Sequence, residues 1–134
     1  MTQCTLVCVD PTQIEDFLPH VAEQIARACR RGLHDYEGSL RALRGGQALL
    51  WLVWDGEQVL ASLTTELHRI NGRKLCFIAT LGGQNREQWI GLISEIEKFA
   101  RAEGCQSVII MGRKGWSRAL PEYHTRGLIL ERAL

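Results

Sequence analysis

Apolar residues recur at intervals of three and four between positions 14 and 29: Ile14, Phe17, Leu18, Val21, Ile25 and Ala28/Cys29. That spacing gathers them on one helical face. Asp10 or Thr12 stands where a cap belongs, and Gly32 ends the run. Before it, residues 5–9 form a short apolar run closed by Asp10-Pro11, a strand followed by a turn. Tyr36, Leu40 and Leu43 predict a second, shorter helix stopped by Gly45-Gly46. The rhythm then changes to β-rich runs at 48–54, 58–67 and 74–81, separated by Asp55-Gly56 and Asn71-Gly72. Both dipeptides tolerate positive φ and favour tight hairpins, so the three runs predict an antiparallel meander. Residues 87–103 return to helical spacing, with Trp89, Ile90, Ile93, Ile96, Phe99 and Ala100 on one face and Gly104 as the stop. An almost wholly apolar run at 107–111 predicts a strand buried on both faces. A helical segment at 116–123 and a strand at 128–134 close the chain.

The predicted order is β-α-α-β-β-β-α-β-α-β. A strand–helix–strand unit near 74–111 implies a parallel crossover, whereas the meander is antiparallel. The expected fold class is therefore α/β (α+β), a mixed sheet with helices on both faces and a single domain over 1–134. A chain of 134 residues fits one domain. Its 46% apolar and 23% charged content is that of an ordinary globular protein, so neither metal nor disulfide is needed for stability. Net charge of +1 argues against a generally basic nucleic-acid protein. Two arginine-rich groups stand out: Arg27, Arg30, Arg31, Arg41 and Arg44, then Arg113, Lys114, Arg118, Arg126 and Arg132. They read first as solvated faces and second as surfaces for phosphates or an acidic partner. Five scattered cysteines without a C-x-x-C pair suit a reducing compartment. With no leader-like start and no apolar run of membrane length, the expectation is a cytosolic protein.

Residues 116–128 read Trp-Ser-Arg-Ala-Leu-Pro-Glu-Tyr-His-Thr-Arg-Gly-Leu. Ala119, Tyr123 and Gly127 fall in register with Asn-x-x-Ala-x-x-x-Tyr-x-x-x-Gly-Phe, a pattern carried by many members of the GNAT superfamily of N-acetyltransferases. Trp116 replaces its asparagine and Leu128 its phenylalanine. With the element order, the chain resembles that superfamily along its whole length. The resemblance implies transfer of an acetyl group from acetyl-CoA to an amine, with Tyr123 as general acid toward the departing thiolate. It also implies that the loop entering the helix at 87–103 holds the cofactor's pyrophosphate. The family pattern there is Gln/Arg-x-x-Gly-x-Gly/Ala, and this chain has Gln84-Asn85-Arg86-Glu87-Gln88-Trp89. Gln84 matches, while Glu87 and Trp89 stand where small residues belong. Glycine lets backbone N–H groups at a helix start approach phosphate oxygens. A glutamate in that first turn sets a negative charge there, and Asn85 and Gln88 are spaced as a helix cap with its partner. The seat is thus expected to be filled by side chains, and acetyl-CoA is not expected to bind conventionally. Leu81, Gly82, Gly83 and Gln84 remain the cofactor-binding candidates, with Gly82-Gly83 as an alternative cradle.

A general base is harder to find. The run 74–81 has no carboxylate, and Thr80 is its only polar side chain near the end. Glu66 and His68 on the neighbouring run are explained by strand alternation. The four histidines lack metal-ligand spacing, and no nucleophile motif is present, so neither a metal nor covalent catalysis is expected. Trp51 and Trp54 lie three apart in a strand and so face opposite ways. Residues 112–123 also resemble small GNAT-like proteins of tailed phages and prophages, which implies a role in protein binding or virion assembly. Two functions follow from the resemblance. One is a GNAT-fold protein with a degenerate pyrophosphate loop acting through a protein partner, a virion component or a homo-oligomer, cytoplasmic or virion-associated. The other is a working acyl-CoA-dependent N-acyltransferase using Tyr123. Neither involves nucleic acid or membrane.

Overall fold

The computed structural model describes residues 3–112 and 115–134. In chain order it contains β1 (Thr5–Cys8), a 3-10 turn (Pro11–Gln13), α1 (Ile14–Arg31), α2 (Tyr36–Arg44), β2 (Ala48–Trp54), β3 (Val59–Ile70) and β4 (Arg73–Gly83). There follow α3 (Arg86–Trp89), a 3-10 turn (Ile90–Leu92), α4 (Ile93–Ala102), β5 (Ser107–Ile110) and α5 (Gly115–Ala119). Arg113 and Lys114, part of the second basic group, lie outside the described residues.

The five strands form one sheet in the order β1-β2-β3-β4-β5. Its first three pairings are antiparallel and β4–β5 is parallel, the mixed sheet that the sequence predicts. Asn71 (φ 54°) and Gly72 (φ 77°) make the β3–β4 turn with positive φ at both positions. The Asp55 carboxylate organises the β2–β3 loop by accepting from the backbone N–H groups of Glu57 and Gln58, both at 2.8 Å.

Alternation along β2 divides the core between two faces. Ala48, Leu50 and Leu52 pack with Ile14, Leu18, Val21, Ile25 and Cys29 of α1 and with Leu40 and Leu43 of α2. Trp51 points the other way and joins Cys76, Ile78, Ile93, Ile96 and Ala100 under α4. Each aliphatic side chain buried this way contributes roughly 1.5–3 kcal/mol over leaving it in water. Trp51 stacks edge-on against Phe99 at 5.1 Å and donates its indole N–H to the Thr65 hydroxyl. Trp54 is 41% exposed, whereas Trp51 is buried.

Several elements differ from the sequence expectation. The helix expected at 87–103 is broken at Ile90–Leu92. Trp89 is drawn into the core and donates its indole N–H to the Gln84 carbonyl at 2.7 Å, and Gly91 adds weak helix propensity, so the helix restarts at Ile93. The segment expected at 116–123 stops at Ala119, because Pro121 disfavours helical geometry at the residue before it. Residues 107–110 are half-buried rather than buried on both faces, since β5 is the last strand of the sheet. The closing strand expected at 128–134 is absent: those residues form neither strand nor helix. The segment is apolar but carries one β-branched residue, Ile129, so its composition does not specify a strand.

Candidate functional site

The pairing of β4 with β5 runs from Leu75↔Ser107 to Ile78↔Ile110 and stops, while β4 continues to Gly83. At that point β4 carries a bulge. Thr80 lies opposite Thr64 and Ile78 opposite Thr65, which leaves Ala79 without a partner on β3. A bulge bends and twists its strand, so β4 leaves β5 there. The Thr64 hydroxyl pins the bulge, bonding the Thr80 hydroxyl at 2.8 Å and accepting the Thr80 N–H at 3.1 Å. Between the parted strand ends opens a cleft of about 410 Å³. The end of β4 forms one side and Met111, Gly112 and Trp116 another; α1 and the loop after it close the third.

Three arginines, Arg27 and Arg31 from α1 and Arg86 from the start of α3, line this cleft against one glutamate, Glu87. The ion pairs that hold Arg30 to Glu23, Arg41 to Asp35 and Arg44 to Glu15 do not extend to them. The first arginine group therefore divides: three members form exposed surface pairs of small energetic value, and two face the cleft. Arg86 lies over Trp116, its guanidinium carbon 5.3 Å from the ring centroid.

The capping expected of Asn85 is not made. Asn85 is left-handed (φ 55°, ψ 50°) and its side chain makes no cap hydrogen bond, although its carbonyl accepts the Gln88 N–H at 2.9 Å. Glu87 does line the cleft. Trp89 also reaches the cleft wall, but it is 1% exposed and packed with Val53, Leu60 and Ala61. It is a core residue with its indole N–H satisfied, and does not plug the cleft as bulk alone suggested.

Leu81, Gly82 and Gly83 line the cleft, as residues paired to β3 rather than as a free loop. A side chain at Gly83 would press on the Leu60 carbonyl and on Ala61, so close packing of two strands requires glycine there. Gln84 does not line the cleft. Its N–H donates to Leu60 at 2.8 Å and its carbonyl accepts from Trp89. Tyr123 lies apart, in a shallower depression of about 260 Å³ with Ile93, Glu97 and Pro121. Its hydroxyl donates to the Glu97 carboxylate at 2.8 Å. Burial first, then the hydrogen bond to Glu97, pushes its pKa well above the ordinary tyrosine value. Glu66 and His68 bond one another at 3.1 Å outside the cleft. Burial pushes the Cys76 thiol up to about 11, which removes it as a nucleophile.

Two cleft residues escaped the sequence reading. The Oε1 of Gln24 and the Nε2 of His34 are both buried, and neither has a hydrogen-bond partner among the described residues. Gln24 shares one side of α1 with Arg27, Ala28 and Arg31, a three-and-four spacing visible in the sequence. His34 follows Gly32 in the loop and nothing in the pattern marks it. Buried polar atoms of this kind normally find partners, so the cleft presents unused capacity for a polar ligand. Among the described residues no cluster of His, Cys, Asp or Glu could hold a metal, and no helix is long and apolar enough to cross a membrane.

The same architecture is that of GNAT acetyltransferases. No family model matches the sequence, and no curated protein matches it. Solved structures do. An aminoglycoside acetyltransferase from an uncultured soil metagenomic sample, in complex with sisomicin, superposes with a TM-score of 0.68 at 14% identity over 98% of this chain and 96% of that one. A ribosomal-protein-alanine N-acetyltransferase from Brucella melitensis biovar Abortus 2308 gives 0.68 at 11% identity over 98% of each chain. A predicted acetyltransferase with acetyl-CoA from Clostridium acetobutylicum gives 0.66 at 10% identity over 98% of this chain and 96% of that one. At such identities the likeness establishes an acetyltransferase-like fold.

Proposed function

We propose that the chain is an acyl-CoA-dependent N-acyltransferase whose cleft between β4 and β5 receives the acyl-coenzyme A. The observation that carries this reading is the cleft itself, open at the bulge in β4 and faced by Arg27, Arg31 and Arg86. Beyond Ile78, β4 offers backbone groups to the cleft that β5 no longer uses, which suits an amide-bearing, extended ligand. The arginines suit its phosphates. When bound, acyl-coenzyme A supplies an activated acyl group for an amine. The three arginines fit this group and outweigh the one carboxylate, Glu87, that opposes it. Gln24 Oε1 can accept from a substrate N–H, and the unpartnered Nε2 of His34 lies on a residue that lines the same cleft. Tyr123 as general acid requires release from Glu97 and entry into the cleft.

A second reading is a non-catalytic GNAT-fold protein acting through protein contacts, in a virion or its assembly. What favours it is the hydroxyl of Tyr123 tied to Glu97 outside the cleft, together with Glu87 at the start of α3. Mass spectrometry of acetyl transfer from acetyl-CoA across a panel of aminoglycosides, polyamines and peptide N-termini separates the two. Turnover that His34→Ala abolishes supports the enzyme. Binding of acetyl-CoA without transfer to any amine favours the second reading.

A further inference from the structure

Arg86 differs from the paired arginines of the molecule in what holds it. Arg30, Arg41 and Arg44 each lie against a carboxylate, which takes up guanidinium N–H groups. Arg86 enters no ion pair among the described residues. Glu87 follows it directly on α3, and helix neighbours one position apart do not face each other. Its guanidinium carbon stands instead 5.3 Å from the centroid of the Trp116 ring, within the range of a cation–π contact. The difference is chemical. A carboxylate consumes guanidinium donors, whereas an aromatic ring attracts the charge and leaves donors free for a bidentate acceptor such as phosphate.

Trp116 is itself held in place. Its ring meets that of Trp89 at 6.4 Å, tilted by 46°, and Trp89 is fixed in the core by its bond to the Gln84 carbonyl. Half-buried, Trp116 packs at the margin of the cluster of Val53, Leu60 and Ala61. The chain leaving β5 passes close beneath it: a Cβ at Gly112 would stand 2.7 Å from the indole Cδ1, so a side chain there would push the ring away. A chain of contacts thus runs from the core through Trp89 and Trp116 to Arg86, across the mouth of the cleft that all three line. We propose that Trp116 is a positioning residue, which holds the Arg86 guanidinium at the cleft with its donors free for a phosphate of the ligand. This rests on the reading of the cleft as an acyl-coenzyme A site. An unheld arginine gives up rotamer freedom when it grips an anion, and the ring bears that loss before the ligand arrives.

A double-mutant cycle read by isothermal titration with acetyl-CoA tests this. It uses the native chain, Trp116→Leu, Trp116→Phe, Arg86→Ala and the Trp116→Leu/Arg86→Ala double variant, each shown to be folded by circular dichroism. Trp116→Leu is expected to weaken binding roughly three- to tenfold, while Trp116→Phe, which keeps a ring, stays within about twofold of the native chain. In the Arg86→Ala background the leucine change is expected to add nothing, as a coupled pair requires. Native affinity in Trp116→Leu overturns the proposal. So does an equal loss with and without Arg86, which makes Trp116 a plain wall of the cleft. Both results leave the acyl-coenzyme A reading standing, because the native chain binds; a native chain that does not bind overturns the two together. If the leucine variant fails to fold, nuclear magnetic resonance of the native chain decides. Ring-current shifts of the Arg86 side-chain protons, assigned against Arg86→Ala, are expected both without and with acetyl-CoA, and their loss on binding overturns the proposal.

Discussion

Replacing Trp89 by alanine distinguishes a core residue from a plug in the cleft. Trp89 is 1% exposed and packs on Val53, Leu60 and Ala61. Truncating a buried aromatic to alanine costs about 3–5 kcal/mol, transfer and cavity together. The Gln84 carbonyl also loses its 2.7 Å donor, worth about 1 kcal/mol more unless water replaces it. The expected loss is therefore about 4–6 kcal/mol, a large part of the roughly 5–15 kcal/mol that stabilises a typical domain. For a chain of this size each kcal/mol moves Tm by roughly 4 °C, so Tm should fall by about 16–24 °C. Urea unfolding followed by circular dichroism measures it, with an unchanged m-value indicating that the native state is otherwise intact. A loss below about 1 kcal/mol, with tighter acetyl-CoA binding, would refute the reasoning and return Trp89 to the cleft as an obstruction.

Other perturbations follow from the same geometry. Gly83→Ala sets a methyl group against the Leu60 carbonyl and Ala61, and should cost about 3 kcal/mol in urea unfolding because backbone on both strands must shift. Thr64→Val removes the hydroxyl that serves both the Thr80 hydroxyl and the Thr80 N–H. It should cost about 1–3 kcal/mol and weaken acetyl-CoA binding by loosening the bulge. Tyr123 has a folded-state pKa above its unfolded value. Between those values the folded state holds more protons, so this contribution is complete below about pH 10 and is lost as pH rises through the folded value. Denaturant titrations at pH 9 and above should show stability falling for the native chain and a flatter profile for Tyr123→Phe.

The meander and the two helices that precede it were legible because each rests on local signals. Asn71-Gly72 needs positive φ, and the spacing from Ile14 to Cys29 admits one helical face. The bulge at Ala79 was not legible, since no glycine marks it and it arises from register between β3 and β4. Trp89 was misread because position alone cannot tell whether a side chain at a loop–helix junction turns toward ligand or core. Tyr123 fell in the family's register, yet Pro121 shortened its helix and Glu97 took its hydroxyl, two effects that depend on three-dimensional neighbours. The strand expected at 128–134 rested on apolar character alone, and Ile129 is its one β-branched residue.

Isothermal titration of the full chain with acetyl-CoA tests the central claim most directly, with Arg86→Ala and Arg27→Ala/Arg31→Ala alongside. The account predicts one site of micromolar affinity, weakened about tenfold or more by each variant, as loss of a charge-assisted contact of at least about 1.4 kcal/mol requires. No heat of binding at millimolar acetyl-CoA, from protein shown to be folded, would contradict it.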